Sequence, residues 1–162
     1  MLKFKETFKK LTRDLPKFED GRINYSDAKQ APVLTCFVKY NEEILLLKRS
    51  DKVRAYQGMW NSVAGYLDEL IPLEEKALEE LEEELGIKKD LIKEIKLGKA
   101  YQFKDEKIDK TWFIFPVLIE LNKRPNIQLD WEHTEYRWID PKDLDKFNIV
   151  PNLDKSLKNA LS

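Results

Sequence analysis

The sequence predicts a mixed α/β sandwich, with helices packed against a mixed β-sheet. Three observations carry this. Residues 33–40 and 44–49 are apolar runs on either side of Asn41-Glu42-Glu43, a short polar turn, and so read as a pair of strands. Leu73–Leu85 repeats Leu and Ala at helical spacing and ends at Gly86, the usual C-terminal stop of a helix. Residues 95–103 and 111–121 are rich in β-branched and aromatic side chains, and the polar stretch 104–110 between them predicts an antiparallel hairpin.

The remaining elements follow in order. Residues 1–15 carry Phe4, Phe8, Leu11 and Leu15 on one helical face with Lys on the others, which predicts a short amphipathic helix packed on the domain. Pro16, Gly21 and Pro32 mark residues 16–31 as a connecting loop. Residues 50–59 are a polar loop containing Gly58, residues 60–64 a short strand that runs into Gly65, and residues 66–72 a loop ending at Pro72, placed for the first helical turn. Residues 136–139 read as a further strand, Asp140-Pro141 as a helix start, and residues 151–161 as a last amphipathic helix. There is no internal repeat or low-complexity tract. The expected organisation is an N-terminal helix and loop over residues 1–30, followed by one domain over 31–162.

At 162 residues the chain can bury a core without disulfides or structural metal. Hydrophobic residues make up 42%, which favours a packed globule over disorder. A formal net charge of −1 argues against broad capture of nucleic acid polymers or anionic membranes. Cys36, the single cysteine, excludes an internal disulfide and reads as a small core residue. His133, the single histidine, excludes a multi-His zinc site. No run reaches the ~18 apolar residues of a membrane span, and the N-terminus lacks an uninterrupted apolar stretch of signal-peptide length. A cytoplasmic location is the default expectation.

The helix over Leu73–Leu85 carries the chemistry. On a wheel of ~100° per residue, Leu73, Ala77, Leu78, Leu81 and Leu85 fall within an arc of about 140°, the expected buried face. Glu80, Glu83 and Glu84 share an adjacent arc at i, i+3 and i, i+4 spacing, so their carboxylates are neighbours. Three like charges near a helix C-terminus repel each other and oppose the helix dipole. A divalent cation reverses both effects, and hard oxygen ligands suit Mg²⁺ or Mn²⁺. A solvated Glu-rich face would show the same spacing, so the cluster needs its surroundings to become specific.

Those surroundings resemble the Nudix box. In that family a Gly is followed by five residues, a Glu, seven residues, then Arg-Glu-aliphatic-any-Glu-Glu-any-Gly-aliphatic. Gly65, Glu80, Leu81, Glu83, Glu84, Gly86 and Ile87 match in register, without insertion or deletion. Residues 45–49, Trp60 and residues 135–139 also look like Nudix surroundings, and the resemblance spans residues 31–146. It implies a Nudix-type α/β/α sandwich. Two positions depart: the first Glu of the box is Ile71 and the Arg is Glu79. In the family these form a supporting ion pair; losing both leaves no orphaned charge. Ala64 replaces a glycine whose backbone carbonyl is a metal ligand in the family. Lys76, four residues before Glu80 and three before Glu79, is a candidate substitute for the lost Arg.

The resemblance implies that Glu80, Glu83 and Glu84, with the Ala64 carbonyl, hold Mg²⁺ or Mn²⁺ against a pyrophosphate. One of these glutamates, or Glu132 or Glu135 from a later loop, is the candidate general base. His133 reads as a loop side chain. Lys48 and Arg49 end a strand and are candidates to steer phosphate. Tyr66, Trp60, Tyr101, Phe103 and Trp112 are candidates to stack a flat group, although core packing is the competing reading for each. The expected activity is metal-dependent cleavage of the pyrophosphate bond of a nucleoside-diphosphate-linked or similar small molecule. The alternative is a catalytically weak or inactive module that binds a nucleotide-like ligand or a protein partner, and the departures at Ile71 and Glu79 favour it. A homodimer is left open.

Overall fold

The computed structural model describes residues 2–162. Its centre is one mixed eight-stranded sheet. The strands are β1 (Gln30–Tyr40), β2 (Glu43–Arg49), β3 (Trp60–Asn61), β4 (Val63–Tyr66), β5 (Ile92–Leu97), β6 (Tyr101–Asp105), β7 (Lys110–Leu121) and β8 (His133–Ile139). Strands β1 and β7 run parallel along almost their whole length, from Gln30 opposite Thr111 to Lys39 opposite Glu120. All other pairings are antiparallel: β4 and β2 on β1, β3 and β8 on β2, β5 and β6 on β7.

Helices cover both faces. Helix α2 (Leu73–Leu85) packs Ala77, Leu81 and Leu85 against Leu45, Leu47, Cys36 and Val117. Helix α3 (Leu153–Leu161) packs Leu153, Leu157 and Ala160 against Ile44, Leu46 and Phe37 on the opposite face. Alternate residues of β2 therefore serve different layers, and the strand reads as a continuous apolar run because both faces are covered. Helix α1 (Phe4–Thr12) is shorter than the 1–15 expected, and the Thr12 hydroxyl donates to the Phe8 carbonyl at 2.7 Å in its last turn. Phe4 meets Phe115 edge-on at 5.5 Å, so the N-terminal segment adds to the same core. Among the described residues no helix is long and apolar enough to cross a membrane.

Three differences from the sequence reading have local causes. The run 95–103 is two strands, because β7 exchanges partners at Pro116. The Gly98 amide donates to the Pro116 carbonyl at 2.8 Å, and a Cβ on Gly98 would lie 2.7 Å from the Asn159 backbone. The run 60–64 breaks at Ser62, where pairing passes from β2 to β1. The helix opened by Asp140-Pro141 is a 3₁₀ helix, Pro141–Lys146, capped by the Asp140 carboxylate, which accepts from the Lys142 amide. As expected, the loop ends at Pro72, the residue just before α2. Gly86 sits at φ 69° just after the helix, the left-handed conformation that a glycine adopts without strain.

Candidate metal and substrate site

Helix α2 turns its leucines to the sheet and thereby aims its acidic stripe at the loop after β4 and the loop before β8. These enclose a cleft of about 400 Å³ lined by Ala64, Gly65, Glu80, Glu83, Glu84 and Glu132, among others. Strand β4 ends here, and a Cβ on Gly65 would lie 2.9 Å from the Glu80 carboxylate. A side chain at this position would therefore push the Glu80 carboxylate aside.

Glu84 is 2% exposed, and neither of its carboxylate oxygens has a hydrogen-bond partner. Burial first, then the adjoining Glu80, push Glu84 well above the usual carboxylate range. Glu80 is raised as well, again chiefly by burial, with Lys76 opposing the shift. Glu132 stands across the cleft and is pushed up to about 7 by burial and by Asp130, against the pull of Arg49. Desolvated carboxylates without partners are costly unless a cation joins them. Among the described residues Glu84, Glu132 and His133 offer ligand atoms that all lie within 4.8 Å of one another. The donor set therefore fits a divalent cation. Its oxygens suit Mg²⁺ or Mn²⁺.

His133 is buried at the start of β8, contrary to its reading as a loop side chain. Its Nδ1 lies 3.0 Å from the Asp130 carboxylate and its Nε2 3.7 Å from Glu84. With the proton on Nδ1 facing Asp130, the Nε2 lone pair is left toward Glu84. Burial lowers the His133 pKa, with Asp130 opposing, which favours the neutral ring.

A second cavity of about 430 Å³ opens beside the acidic cleft and shares Ala64, Gly65, Tyr66, Trp131 and Glu132 with it. Its walls are aromatic: Tyr56, Tyr66, Tyr101, Phe103, Trp112 and Trp131. Tyr66 stacks on Tyr25 at 5.1 Å and lies tilted to Trp112 at 6.1 Å. Tyr56 holds φ 58°, an uncommon backbone state for a bulky residue. Its hydroxyl donates to Asp105 at 2.7 Å and accepts from the Trp112 indole at 3.1 Å. Arg49 reaches this cavity and donates from Nε to the Ala55 carbonyl at 3.0 Å; burial lowers its pKa while Glu132 opposes.

Of the residues singled out from sequence, the structure brings together Ala64, Glu80, Glu83, Glu84, Glu132, Arg49 and Tyr66, together with Tyr101, Phe103 and Trp112. Three others lie elsewhere. Trp60 is buried on the α3 side, edge-on to Phe147 at 5.3 Å and covered by Arg137. Lys48 and Glu135 face one another across β2 and β8 and pair at 3.3 Å, outside both cavities. Tyr56, Asp68 and Trp131 were missed, because no local spacing marks them.

Lys76 is not a surface residue. Its side chain is 3% exposed, and its ammonium lies 2.8 Å from Asp68, 3.6 Å from Glu69, 3.7 Å from Glu79 and 3.8 Å from Glu80. Burial would lower its pKa, but the Asp68 hydrogen bond and the charges around it raise it instead.

Comparison with known proteins agrees with this architecture. The NUDIX domain model matches residues 29–160. The chain belongs to the Nudix family. An Ap4A hydrolase from C. elegans superposes with TM-score 0.63 at 19% identity, covering 80% of this chain and 93% of that one. A MutT protein from Methanosarcina mazei gives 0.64 at 20% identity, covering 82% and 93%. The NUDIX domain of Shewanella oneidensis NrtR, complexed with ADP-ribose, gives 0.65 at 14% identity, covering 82% and 89%. At these identities the likeness shows the fold alone. No curated protein sequence matches the chain.

Proposed function

We propose that this chain is a metal-dependent pyrophosphohydrolase whose substrate joins a diphosphate to a flat group such as a nucleoside. The observation that carries this reading is the pair of unpartnered, buried Glu84 oxygens facing a cleft that opens directly into an aromatic cavity. Glu80, Glu83, Glu84 and the Ala64 carbonyl would hold Mg²⁺ or Mn²⁺, with His133 within reach of the same cation. When bound, the cation supplies charge compensation for the diphosphate and acidity for a water. Glu132, pushed up to about 7 and shared by both cavities, is placed to take the proton of that water as general base. Arg49 meets phosphate at the junction, while Tyr66 and Trp131 stack the flat group.

The structural neighbours include an Ap4A hydrolase and a domain holding ADP-ribose, which supports a nucleotide-like substrate. The test is a panel of nucleoside triphosphates, dinucleoside polyphosphates, nucleotide sugars and simpler pyrophosphates with Mg²⁺ or Mn²⁺, assaying released phosphate and pyrophosphate. Turnover of at least one class, abolished by chelator, is the expected result. Binding without release across the panel would favour the module that binds and does not cleave.

A further inference from the structure

The family's supporting ion pair would join residues 71 and 79, which here are Ile71 and Glu79. Seven residues lie between those positions. Seven also lie between Asp68 and Lys76, and these two do form an ion pair, at 2.8 Å. We infer that Asp68 and Lys76 are the positioning pair of this site, the family's pair moved three residues toward the N-terminus at both ends, and that they orient Glu80 for the cation. This rests on the hydrolase reading given above.

The geometry gives each partner a distinct task. The Lys76 ammonium lies 3.8 Å from Glu80, near enough to fix the direction of that carboxylate. It lies a full ångström nearer Asp68, which accepts its hydrogen bond and so keeps it from closing on Glu80. Without Asp68 the ammonium is free to swing to Glu80 and compete with the cation. Without Lys76, Glu80 loses its orientation and Asp68, Glu69 and Glu79 are left facing one another.

The loop that carries Asp68 is fastened by residues that precede the family-matched segment. The Ile23 amide donates to the Asp68 carbonyl at 2.9 Å, and the Tyr25 hydroxyl donates to the Leu67 carbonyl at 2.6 Å. Arg22 lies 3.5 Å from Glu69. The loop end of the relocated pair thus sits where the N-terminal segment can hold it, whereas position 71 lies three residues further along the loop, toward α2.

Titrating the full-length protein with Mn²⁺ alone, followed by calorimetry or by the Mn²⁺ resonance signal, tests this without a substrate. Lys76→Met should weaken Mn²⁺ binding by on the order of tenfold or more, as loss of a ligand's supporting residue does. Asp68→Asn, at a partly exposed loop position, should weaken it in the same direction and keeps the test open if Lys76→Met does not fold. The double variant should be no worse than Lys76→Met, because one device is being removed twice. Lys76→Arg should recover most of the affinity. With a substrate from the panel, kcat should fall while KM stays near the wild-type value. Mn²⁺ affinity within about twofold of wild type in both Lys76→Met and Asp68→Asn, whatever their melting temperatures, overturns the inference and leaves the hydrolase reading standing. A wild-type protein that binds no Mn²⁺ at millimolar concentration overturns both.

Discussion

The acidic cleft and the aromatic cavity share five residues and differ in almost everything else. The cleft draws three of its six carboxylates from one helix, at spacings that repeat every turn, and the other three from loops. The cavity draws its six aromatic side chains from the loop before β3, from β4, β6 and β7, and from the loop before β8. Glu84 is buried and Glu80 and Glu132 are half-buried, while Glu83 stays exposed. The cavity's groups are flat and largely neutral. On the proposed hydrolase reading, the contrast separates two tasks on one surface: charge compensation, which any pyrophosphate would need, and recognition, which would depend on what the pyrophosphate is attached to.

Removing a cleft carboxylate should break the first task for every substrate alike. Glu84→Gln keeps shape and removes a ligand charge. It should lower kcat by on the order of 10² or more with all members of the panel. The melting temperature of the metal-free protein should stay the same or rise, since the variant relieves repulsion and the burial of an unpartnered charge. Glu132→Gln should cost a comparable factor through loss of the proposed base; because Glu132 also lies within reach of the cation, Mn²⁺ affinity should fall, but by less than in Glu84→Gln. Activity of Glu84→Gln equal to wild type on an established substrate would remove that residue from the site.

The same contrast explains what could be read in the sequence. Helix α2 was legible to the residue because Leu73, Ala77, Leu81 and Leu85 repeat at one period and Gly86 marks its end. Glu80, Glu83 and Glu84 were legible with it, since helical spacing fixes which side chains meet. Trp131 and Tyr56 were not, because they meet only after distant parts of the chain fold together. His133 was misread for a related reason. Its neighbours are polar in sequence, yet β8 adds to the edge of β2 and carries the imidazole in under α2. Lys48 and Glu135 lie outside both cavities for the opposite reason. Their place along the chain points to the site, and the β2–β8 register turns them toward each other. Asp68 was overlooked because its spacing to Lys76 acquires meaning only once the loop and α2 lie together.

Altering the cavity should sharpen the difference by changing selectivity and not chemistry. Trp131 is 62% exposed and stands where the two spaces join. If it stacks the flat group, Trp131→Ala should raise KM by about tenfold for substrates that carry an aromatic base, in line with the strength of aromatic pairs. Inorganic pyrophosphate or an aliphatic diphosphate should be affected far less. A uniform loss across aromatic and non-aromatic substrates would mean that Trp131 shapes the cleft and not the cavity.

The smallest effect, and the one that isolates the cleft's electrostatics, is the dependence of metal-free stability on pH. Glu132 is raised from 4.5 to about 7 in the folded state, so between those values the folded protein holds a proton that the unfolded chain has released. Stability falls with rising pH wherever the folded state binds more protons. Glu80 and Glu84 are raised too and add to the same slope. His133 opposes them: its pKa is lowered below 6.5, so the unfolded chain takes up its proton first as pH falls. Asp109 is lowered below 3.8 and acts outside this window. Three carboxylates against one imidazole make the expected net slope negative. The melting temperature of the metal-free protein should drop as pH rises from 5 to 7, and Glu132→Gln should flatten that drop. Solvent screening at Glu132, which is only partly buried, keeps the change modest. Saturating Mn²⁺ should reverse the slope, because the cation binds the deprotonated ligands and stabilises only the folded state. A melting temperature that rises with pH in the metal-free protein, or a slope that Glu132→Gln leaves untouched, would show that these carboxylates are better solvated than their burial indicates.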